Sequence, residues 1–372
     1  MLRIPALGVD KHWVAAQIEG WQKAKDKLPA WAGLKGIIYP VRLSMEQCSS
    51  ERTGRYKASL VNGNCAVDMT GGFGVDTFFL SEHFQKTIYI EQQEDLAQIA
   101  SHNFSVLGRP AIEVHTGKAE DIVKNMKQVD LIYMDPARRK ESQKVYKLND
   151  CEPNAPQLLN DLFSITEQIM IKTSPMLDIS QAIQELKHVK EIHVVSVDQE
   201  CKEVLYVLNR SYTGEPRMVC VHDYKQALDL FSFHPSEEQQ TMAPLAMPMN
   251  WLYEPNPSVL KAGAFNCLTR DFAVFKLHRS SHLYTSAEAI PHFPGRTFRV
   301  RQILTYDKKE LMKHLPDGKA NIQTRHFPDS VEQIRKKTGI KDGGPLFIFA
   351  TTLIDGKKAM LICDKSNAEN HV

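Results

Sequence analysis

The sequence has 372 residues, of which 42% are hydrophobic and 24% are charged, and its net charge at neutral pH is +2. This composition is typical of a folded, soluble protein, and the length predicts two or three domains. Because the net charge is close to zero, any binding of nucleic acid must depend on local basic patches rather than on the charge of the whole chain.

The seven cysteines are dispersed along the chain, and no two of them form a C-x-x-C pair. This pattern argues against both a zinc site and a disulfide framework. The first residues are interrupted by Pro5, Gly8 and Asp10, which does not fit a signal peptide, and no apolar stretch approaches the length of a membrane span. We therefore expect a cytoplasmic protein without a membrane anchor or a bound metal.

The N-terminal part of the chain is predicted to be helical. Apolar residues recur at near-helical spacing over 10–28, and Pro29 ends that segment. A second helix is expected over 44–60, with Ser44 as its N-cap. We place a helical N-terminal segment at residues 1–57.

From residue 65 onward, short apolar runs alternate with helical stretches. The runs are CAVDM, TIYIE, AIEVHT, DLIYMD, QIMIKT, EIHVVSVD and EVLYVLN, and the helical stretches are 75–83, 93–107, 118–127, 155–168 and 179–188. Strands that alternate with crossover helices form a parallel sheet covered on both faces. Only QECK separates the last two runs, which is too short for a parallel crossover. The pattern predicts an α/β fold whose parallel sheet is finished by an antiparallel hairpin.

The pattern becomes less regular after residue 210. The polar, proline-broken stretch SEEQQTMAPLAMPMN is predicted to be a linker, and strands and helices mix again beyond it. Asp355-Gly356 lies between two apolar runs and predicts a hairpin. We expect the α/β domain to cover 58–245 and a smaller α+β domain to cover 246–372.

A glycine-rich turn, VDMTGGFGVDTFFL, follows the first predicted strand. Asp68 ends the strand, and Gly71, Gly72 and Gly74 let the backbone approach a ligand closely. The turn matches neither G-x-G-x-x-G nor a P-loop, and a turn without a ligand is an even alternative. Glu91 ends the second strand, at a position where an acid can bind ribose hydroxyls.

The third strand adds a further set of polar residues to the same crevice. Ala119, Glu120 and Asp121 follow its carboxyl end. Suitable groups at three successive strand ends predict a cofactor site. A nicotinamide-dependent dehydrogenase is the competing use of such a turn, but it would show the full dinucleotide fingerprint and a purely parallel sheet.

The chain resembles the class I S-adenosylmethionine-dependent methyltransferases over roughly 60–210. The resemblance rests on the motif D-M-T-G-G-F-G, the acid at position 91, the motif D-P-A-R-R and the final hairpin. The resemblance implies a Rossmann-like seven-stranded sheet and S-adenosyl-L-methionine as the cofactor. In that family the glycine turn contacts the methionine moiety, the second-strand acid holds the ribose, and the next strand end faces the adenine. These roles would fall, in that order, on Asp68, Thr70, Gly71, Gly72 and Gly74, on Glu91, and on Glu120 or Asp121.

Two of these assignments, the role of Asp68 and the adenine contacts, need a closer look at the sequence. Asp68 would support either the turn or the cofactor's amino group. Lys118 lies near a position where many relatives have an acid, which weakens the assignment of the adenine contacts.

The fourth strand ends in D-P-A-R-R. In relatives that methylate nitrogen, this strand ends in an Asp or Asn, and the acid or a backbone carbonyl accepts a hydrogen bond from the amine. The resemblance gives that role to Asp135, with Pro136 stiffening the loop. The chain has Ala137 and Arg138 where those relatives have a second proline and an aromatic residue, which is closer to the D-P-P-R turn of RNA uridine methyltransferases. A guanidinium can stack on a base or grip a phosphate, so Arg138 and Arg139 are candidates for substrate binding. Pairing with nearby acids is the alternative.

The fifth strand ends in IKTSPMLD, without the cysteine that the uridine enzymes use as a nucleophile. Methylation of a pyrimidine carbon requires transient addition of a thiolate, so we expect a nitrogen or oxygen acceptor. Lys172 and Ser174 are predicted to line the substrate crevice, with a strand cap and turn as the alternative. Gln47, Ser50 and Arg55, before the first strand, are weaker candidates.

The last third of the chain is rich in basic residues: Arg296, Arg299, Arg301, Lys308, Lys309, Lys313, Arg325, Arg335, Lys336, Lys337 and Lys341. Interleaved aromatic residues can stack on unpaired bases: Phe293, Phe298, Tyr306 and Phe327. An ordinary solvated surface is the alternative.

The whole chain resembles a bacterial group of methyltransferases that carry a ferredoxin-like piece followed by a THUMP-like domain, with WLYEPNPSVLKAG, FPGRTFRV and KANIQTRHFP as the matching tail motifs. THUMP domains are RNA-binding modules found with tRNA-modifying enzymes, so the implied partner is RNA. We expect an S-adenosylmethionine-dependent methyltransferase that acts on a base nitrogen of structured RNA, with tRNA first among the substrates. The alternatives are a methyltransferase for a protein or small molecule, and a non-catalytic RNA-binding protein with a retained cofactor pocket.

Overall fold

The computed structural model describes residues 10–138 and 147–366. Two compact units form the chain. The first contains the residues up to Val197 together with Lys202–Pro216, and the second contains Asp198–Cys201 and the residues from Arg217 onward. None of the helices in the described residues is long and apolar enough to cross a membrane.

Between residue 10 and the first strand the structure has four helices: α1 (Lys11–Lys27), α2 (Pro29–Ala32), α3 (Arg42–Gln47) and α4 (Glu51–Ser59). Asp10 caps α1, because its carboxylate accepts a hydrogen bond from the backbone N–H of His12. Pro29 occupies the first position of α2, where the missing N–H costs nothing.

The predicted helix over 44–60 is wrong as a single element. Cys48 is extended and ends α3, so the chain makes a break before α4 begins. Ser50 rather than Ser44 is the cap, because its hydroxyl accepts a hydrogen bond from the backbone N–H of Thr53 at 3.2 Å. The break places the residues between the two helices at the edge of the sheet.

The first unit continues with strands and crossover helices. Its strands are β1 (Gly63–Asp68), β2 (Phe84–Glu91), β3 (Glu113–Thr116), β4 (Leu131–Met134), β5 (Ala137–Arg138), β6 (Cys151–Glu152), β7 (Gln168–Thr173), β8 (Val189–Val197) and β9 (Glu200–Asn209). Its helices are α5 (Val75–Leu80), α6 (Glu94–Val106), α7 (Ala119–Val123), α8 (Ala155–Leu162) and α9 (Ile179–Glu185), with a short 3-10 helix at Leu148–Asp150.

The main sheet of this unit has the strand order β8-β9-β7-β4-β1-β2-β3. Strand β1 pairs in parallel with β2 and β4, and β4 pairs in parallel with β7. Strand β7 then pairs antiparallel with β9, and a short turn joins β9 to its neighbour β8. The predicted α/β class, with a parallel sheet that ends in an antiparallel hairpin, is confirmed, although the whole sheet has nine strands in the described residues rather than the predicted seven.

The central strand β4 shows why this sheet forms. Its four side chains are at most 1% exposed, as expected for a parallel strand covered by helices on both faces. The register places Asp68 at the end of β1 beside Tyr89 and Tyr133. The carboxyl ends of β1, β2, β4 and β7 therefore meet at one edge of the sheet, where open α/β sheets bind ligands.

The N-terminal helices pack directly on the glycine-rich turn. Trp31 is fully buried, and its ring lies 5.1 Å from the ring of Phe73 in the turn and 5.5 Å from that of Phe78 in α5. Edge-to-face contacts of this kind stabilise a core beyond the burial of apolar area. The helices and the turn thus share one hydrophobic core.

The second unit has its own strands and helices. The strands are β10 (Arg217–Tyr224), β11 (Ala227–Phe233), β12 (Trp251–Pro255), β13 (Phe275–Lys276), β14 (Tyr284–Ser286), β15 (Gly295–Leu304), β16 (Asn321–Arg325), β17 (Leu346–Thr352) and β18 (Lys358–Lys365). The helices are α10 (Pro235–Gln240), α11 (Pro257–Ala262), α12 (Cys267–Asp271), α13 (Lys308–Lys313) and α14 (Val331–Thr338).

A seven-stranded sheet forms most of this unit, in the order β13-β14-β12-β15-β18-β17-β16. The hairpin predicted at Asp355-Gly356 is confirmed, since β17 and β18 pair antiparallel on either side of it. The segment predicted as a linker is partly ordered, because its polar half forms α10. The carboxylate of Glu238 in α10 accepts hydrogen bonds from the backbone N–H groups of Asn266 and Cys267.

Candidate active site

A cleft of about 490 Å³ opens at the carboxyl edge of the main sheet of the first unit. Its volume lies within the usual range for sites that bind small molecules. The predicted site residues that line it are Thr70, Gly71, Gly72, Gly74, Glu91, Glu120, Asp121, Asp135 and Lys172. Ser44, Gln47, Cys48 and Ser49 form a further wall from the N-terminal segment.

Asp68 supports the glycine-rich turn from below and does not belong to the cleft lining. It is 1% exposed, and its two carboxylate oxygens accept hydrogen bonds from the backbone N–H of Thr70 at 2.9 Å and from the hydroxyl of Thr77 at 2.6 Å. Burial raises the pKa of Asp68 to about 7 against these hydrogen bonds. Of the two roles predicted for this acid, the geometry favours support of the turn.

Gly71 and Gly74 allow the turn to pack against the sheet and helix α6. The backbone N–H of Gly71 donates to the carbonyl of Ile90 at 2.8 Å, and a Cβ at Gly71 would lie 2.1 Å from the ring of Tyr89. Gly74 has a φ of +85°, and a Cβ there would lie 2.7 Å from the ring of Phe104. Both positions therefore require glycine for close packing.

Gly72 and Glu91 form the part of the cleft that is suited to a ligand. Gly72 has a φ of +56°, and a Cβ there would meet no protein atom closer than 3.8 Å. Its N–H donates to one carboxylate oxygen of Glu91 at 2.9 Å, and the N–H of Gln93 donates to the other at 2.9 Å. A carboxylate has about four acceptor positions, so Glu91 retains two for hydroxyl groups of a ligand.

Glu120 and Asp121 lie in the first turn of α7, and both line the cleft. Asp121 is exposed and forms an ion pair of 3.5 Å with Lys124, whereas Glu120 is half-buried. The exposed Lys118 immediately before the helix also lines the cleft. This arrangement favours Glu120 over Asp121 as a ligand contact.

The turn after β4 closes the opposite end of the cleft. The backbone N–H of Asp135 donates to the hydroxyl of Thr70 at 2.7 Å. Pro136 connects Asp135 to β5, which pairs with β6 so that Ala137 faces Glu152 across the ribbon. Arg138 lies in β5, and Arg139 lies outside the described residues.

Lys172 and Ser174 belong to the same motif, IKTSPMLD, but only Lys172 lines the cleft. Lys172 is 7% exposed, and its ammonium lies 2.6 Å from the carboxylate of Asp135. The hydroxyl of Ser174 accepts a hydrogen bond from the N–H of Met176 in the turn after β7. Ser174 is not among the residues that line the cleft. Its position agrees with the alternative interpretation, in which this residue belongs only to the turn after the strand.

A buried polar cluster lies behind Lys172, and no pattern in the sequence indicates it. Asp76, in the first turn of α5, accepts hydrogen bonds from the hydroxyls of Ser49 at 2.8 Å and Tyr133 at 2.7 Å. Its carboxylate also lies 3.2 Å from the ammonium of Lys57 and 3.7 Å from that of Lys172. A lysine in a helix and an acid at a helix start are common on surfaces, so neither pattern distinguishes these residues.

The charges in this cluster control one another. Burial would raise the pKa of Asp76, but Lys57, Lys172 and the two hydroxyls hold it at about 2. Burial would lower the pKa of Lys172, but Asp135, Asp76 and Glu203 raise it above its ordinary value. Both groups are therefore charged at neutral pH.

The other candidates in the N-terminal segment separate in the structure. Gln47 lines the cleft, whereas Ser50 caps α4 and Arg55 pairs with Glu51 at 2.9 Å. The described residues contain no group of three His, Cys, Asp or Glu side chains that could hold a metal ion.

The aromatic residues predicted to stack on bases belong largely to the core of the second unit. Phe298 is fully buried against Phe347 and Phe349, and Phe293 is 5% exposed. Alternation within β15 turns Phe298 inward. The prediction that these two side chains stack on bases is wrong.

Several of the basic residues of the second unit are neutralised by acids. Glu254 is 2% exposed and pairs with both Arg296 and Arg325. Further ion pairs join Arg301 to Asp364, Lys313 to Glu310, Arg335 to Asp342 and Lys337 to Asp329. Lys308, Lys309 and Lys336 are exposed on the neighbouring helices α13 and α14.

Comparison with known proteins gives consistent matches. Residues 251–294 match a ferredoxin-like domain, and residues 295–365 match a THUMP domain-like region. The crystal structure of a proposed methyltransferase from Porphyromonas gingivalis W83 is 35% identical, with a TM-score of 0.90, over 99% of this chain and 93% of that chain. Two uncharacterised S-adenosylmethionine-dependent methyltransferases of Mycobacterium tuberculosis, from strains CDC 1551 and H37Rv, are 21% identical over 315 residues, which is 83% of each chain.

Proposed function

The chain belongs to the class I S-adenosylmethionine-dependent methyltransferases with a C-terminal ferredoxin-like and THUMP-like region, and on this basis we propose that it methylates a base nitrogen in structured RNA, with tRNA as the first substrate to test. The observation that carries the proposal is the position of Asp135 in the same cleft as Gly72 and Glu91.

The residues of the cleft fit the cofactor. Glu91 would hold the ribose hydroxyls with its two remaining acceptor positions, and the open side of Gly72 leaves room for the methionine part. Glu120 would face the adenine. When bound, S-adenosylmethionine supplies an electrophilic methyl group on a sulfonium.

Asp135 would position the acceptor. Its ion pair with Lys172 occupies one carboxylate oxygen and leaves the other to accept a hydrogen bond from an amine. The bond from the Asp135 backbone to Thr70 fixes this residue relative to the glycine-rich turn. Displacement at a methyl carbon depends on alignment, so a fixed acceptor is the main contribution that the protein can make.

The cleft has no reactive thiol among its described lining residues, which supports a nitrogen acceptor rather than a pyrimidine carbon. The cysteine among the described lining residues is Cys48, and burial raises the pKa of its thiol. A protonated thiol is a poor nucleophile, which argues against covalent addition to a pyrimidine carbon.

RNA as the substrate rests on the THUMP domain-like match and on the exposed lysines of α13 and α14. Domains of this type accompany RNA-modifying activities, so the inference is by analogy of domain partnership. A protein or small-molecule acceptor, or RNA binding without catalysis, would give different results in the following experiment.

The test is transfer of labelled methyl groups from S-adenosylmethionine to bulk tRNA, followed by digestion and identification of the labelled nucleoside. We expect label in an N-methylated nucleoside and a loss of about a hundredfold or more in Asp135→Ala, which removes the acceptor oxygens, with cofactor affinity nearly unchanged. Asp26→Asn, at an exposed position of α1, is the matched control. Label in protein or small molecules but not in RNA, or no transfer at all, would contradict the proposal.

A further inference from the structure

Five ionisable side chains form a line of alternating charge that leads into the cleft: Glu203, Lys57, Asp76, Lys172 and Asp135. Successive nitrogen–oxygen distances along this charge row are 2.6, 3.2, 3.7 and 2.6 Å. The last three members line the cleft, whereas Glu203 and Lys57 lie behind it. The row therefore connects the interior of the first unit to the acceptor end of the cleft.

Burial makes the members of the row depend on one another. Lys57 is 1% exposed and Lys172 is 7% exposed, and an uncompensated buried charge is strongly destabilising. Both ammonium groups share the carboxylate of Asp76, and both contact the hydroxyl of Ser49, at 3.1 and 3.3 Å. A change at Lys57 or Asp76 must therefore alter the position of Lys172.

We propose that Lys57 and Asp76 are positioning residues for methyl transfer, which fix the orientation and charge of Asp135 through Lys172; this inference rests on the proposed role of Asp135 toward the acceptor. Lys57 belongs to helix α4, before the first strand and outside the motifs that bind the cofactor. The N-terminal helices thus contribute to the chemistry of the site as well as to its packing.

The two residues act on Asp135 with opposite sign. The ammonium of Lys57 favours the ionised carboxylate, whereas the negative charge of Asp76 disfavours it. The other charged groups facing this region are Lys172 and, farther away, Asp68 and Glu203, and both variants retain all three of these residues. Lys57→Met should raise the pKa of Asp135, and Asp76→Asn should lower it.

The experiment is an NMR titration of protein labelled with ¹³C at the aspartate carboxyl carbons, with the Asp135 signal assigned from its loss in Asp135→Asn. The wild type is compared with Lys57→Met and Asp76→Asn. Lys23→Met is the matched control, because its ion pairs lie at the surface outside the charge row. The measurement needs no acceptor, so a failure of RNA methylation leaves its result readable.

Shifts of opposite direction in the two variants, with no shift in the control, would support the proposal. Shifts of the same direction, or none, would overturn it, because general loosening of the site moves both variants alike. If Lys57→Met does not fold, the double variant Lys57→Met/Glu203→Gln is used instead. It also removes the charge of Glu203, which would otherwise lose its partner, and should still raise the pKa of Asp135. When an acceptor substrate is identified, the acidic limb of the pH dependence of kcat should move in the same direction as the pKa of Asp135 in each variant.

Discussion

The hydroxyl of Thr70 accepts a hydrogen bond from the backbone N–H of Asp135 at 2.7 Å, which joins the end of β1 to the end of β4. Thr70 lies in the glycine-rich turn, and Asp135 lies at the proposed acceptor position. This hydrogen bond thus extends the pairing of β1 with β4 into the two loops that form the halves of the cleft. The alignment of methyl group and acceptor depends on the distance between these loops.

Replacement of Thr70 by valine tests this link. Thr70→Val keeps the shape of the side chain but leaves the N–H of Asp135 without its partner, so we expect the free energy of unfolding to fall by about 1 kcal/mol. Methyl transfer should fall more than cofactor affinity, because alignment is lost. Thr70→Ser retains the hydroxyl and serves as the control. Equal losses in Thr70→Val and Thr70→Ser would show that the hydroxyl is not responsible.

Replacement of Glu91 tests the ribose contact. Glu91→Ala removes the acceptors for two backbone N–H groups and for the proposed ligand hydroxyls, so we expect the Kd for S-adenosylmethionine to rise at least about tenfold. Isothermal titration calorimetry measures this change directly. Glu113→Ala, at an exposed position of β3, should leave the Kd unchanged. An unaltered Kd in Glu91→Ala would remove the assignment.

The neighbouring glycines should respond differently to alanine. In Gly71→Ala the added carbon would lie 2.1 Å from the buried ring of Tyr89, so we expect a loss of about 3 kcal/mol or more in the free energy of unfolding. In Gly72→Ala the added carbon makes only an ordinary contact, 3.8 Å from the carbonyl oxygen of Thr70, and the cost is the left-handed backbone, about 1–2 kcal/mol. Denaturant unfolding and cofactor titration of both variants separate the effects. The reverse order of stabilities would contradict the packing described here.

Asp68 should make stability depend on pH. Its pKa is raised to about 7 in the folded protein against an ordinary value of 3.8, so the folded state holds a proton that the unfolded chain releases. The contribution is present at low pH and is lost as the pH rises from about 4 to about 7. Relative to Asp68→Asn, the wild type should lose on the order of a few kcal/mol over that range. Urea unfolding at pH 4.5 and 7.5 measures it, and a constant difference would refute the buried, protonated acid.

The exposed lysines of the second unit should contribute to RNA binding. Combined replacement of Lys308, Lys309 and Lys336 by alanine should weaken tRNA binding and reduce its dependence on salt, because fewer counterions are released. Lys313→Ala is the control, because Lys313 already pairs with Glu310 at 2.6 Å. Binding measured at several salt concentrations decides the outcome. An unchanged salt dependence would place the RNA on another surface.

The fold could be predicted from the sequence where one local signal sufficed. Buried runs such as that of β4 mark a parallel sheet, and the short connection before β9 marks an antiparallel end. The interruption between α3 and α4 could not be predicted in the same way, because Ser44 and Ser50 are both residues of a type that caps helices. The extended backbone at Cys48 and the hydrogen bond to Ser50 identify Ser50 as the cap of α4.

The sequence predicts only those residues of the candidate site that lie at the ends of strands. Gly72, Glu91, Asp135 and Lys172 each follow an apolar run, so their common edge could be inferred. Lys57 lies in another element, far away in the sequence, and its pairing with Glu203 depends on the packing of α4. The inward position of Phe298 likewise depends on which face of β15 is covered.

The contact between Trp31 and Phe73 has a thermodynamic consequence. Because the N-terminal helices share a core with the turn that contacts the cofactor, the two cannot be independent in stability. Where opening of the helices weakens cofactor binding, cofactor binding opposes that opening by the same free energy. We therefore expect slower hydrogen exchange around Trp31 upon cofactor binding, although Trp31 does not line the cleft.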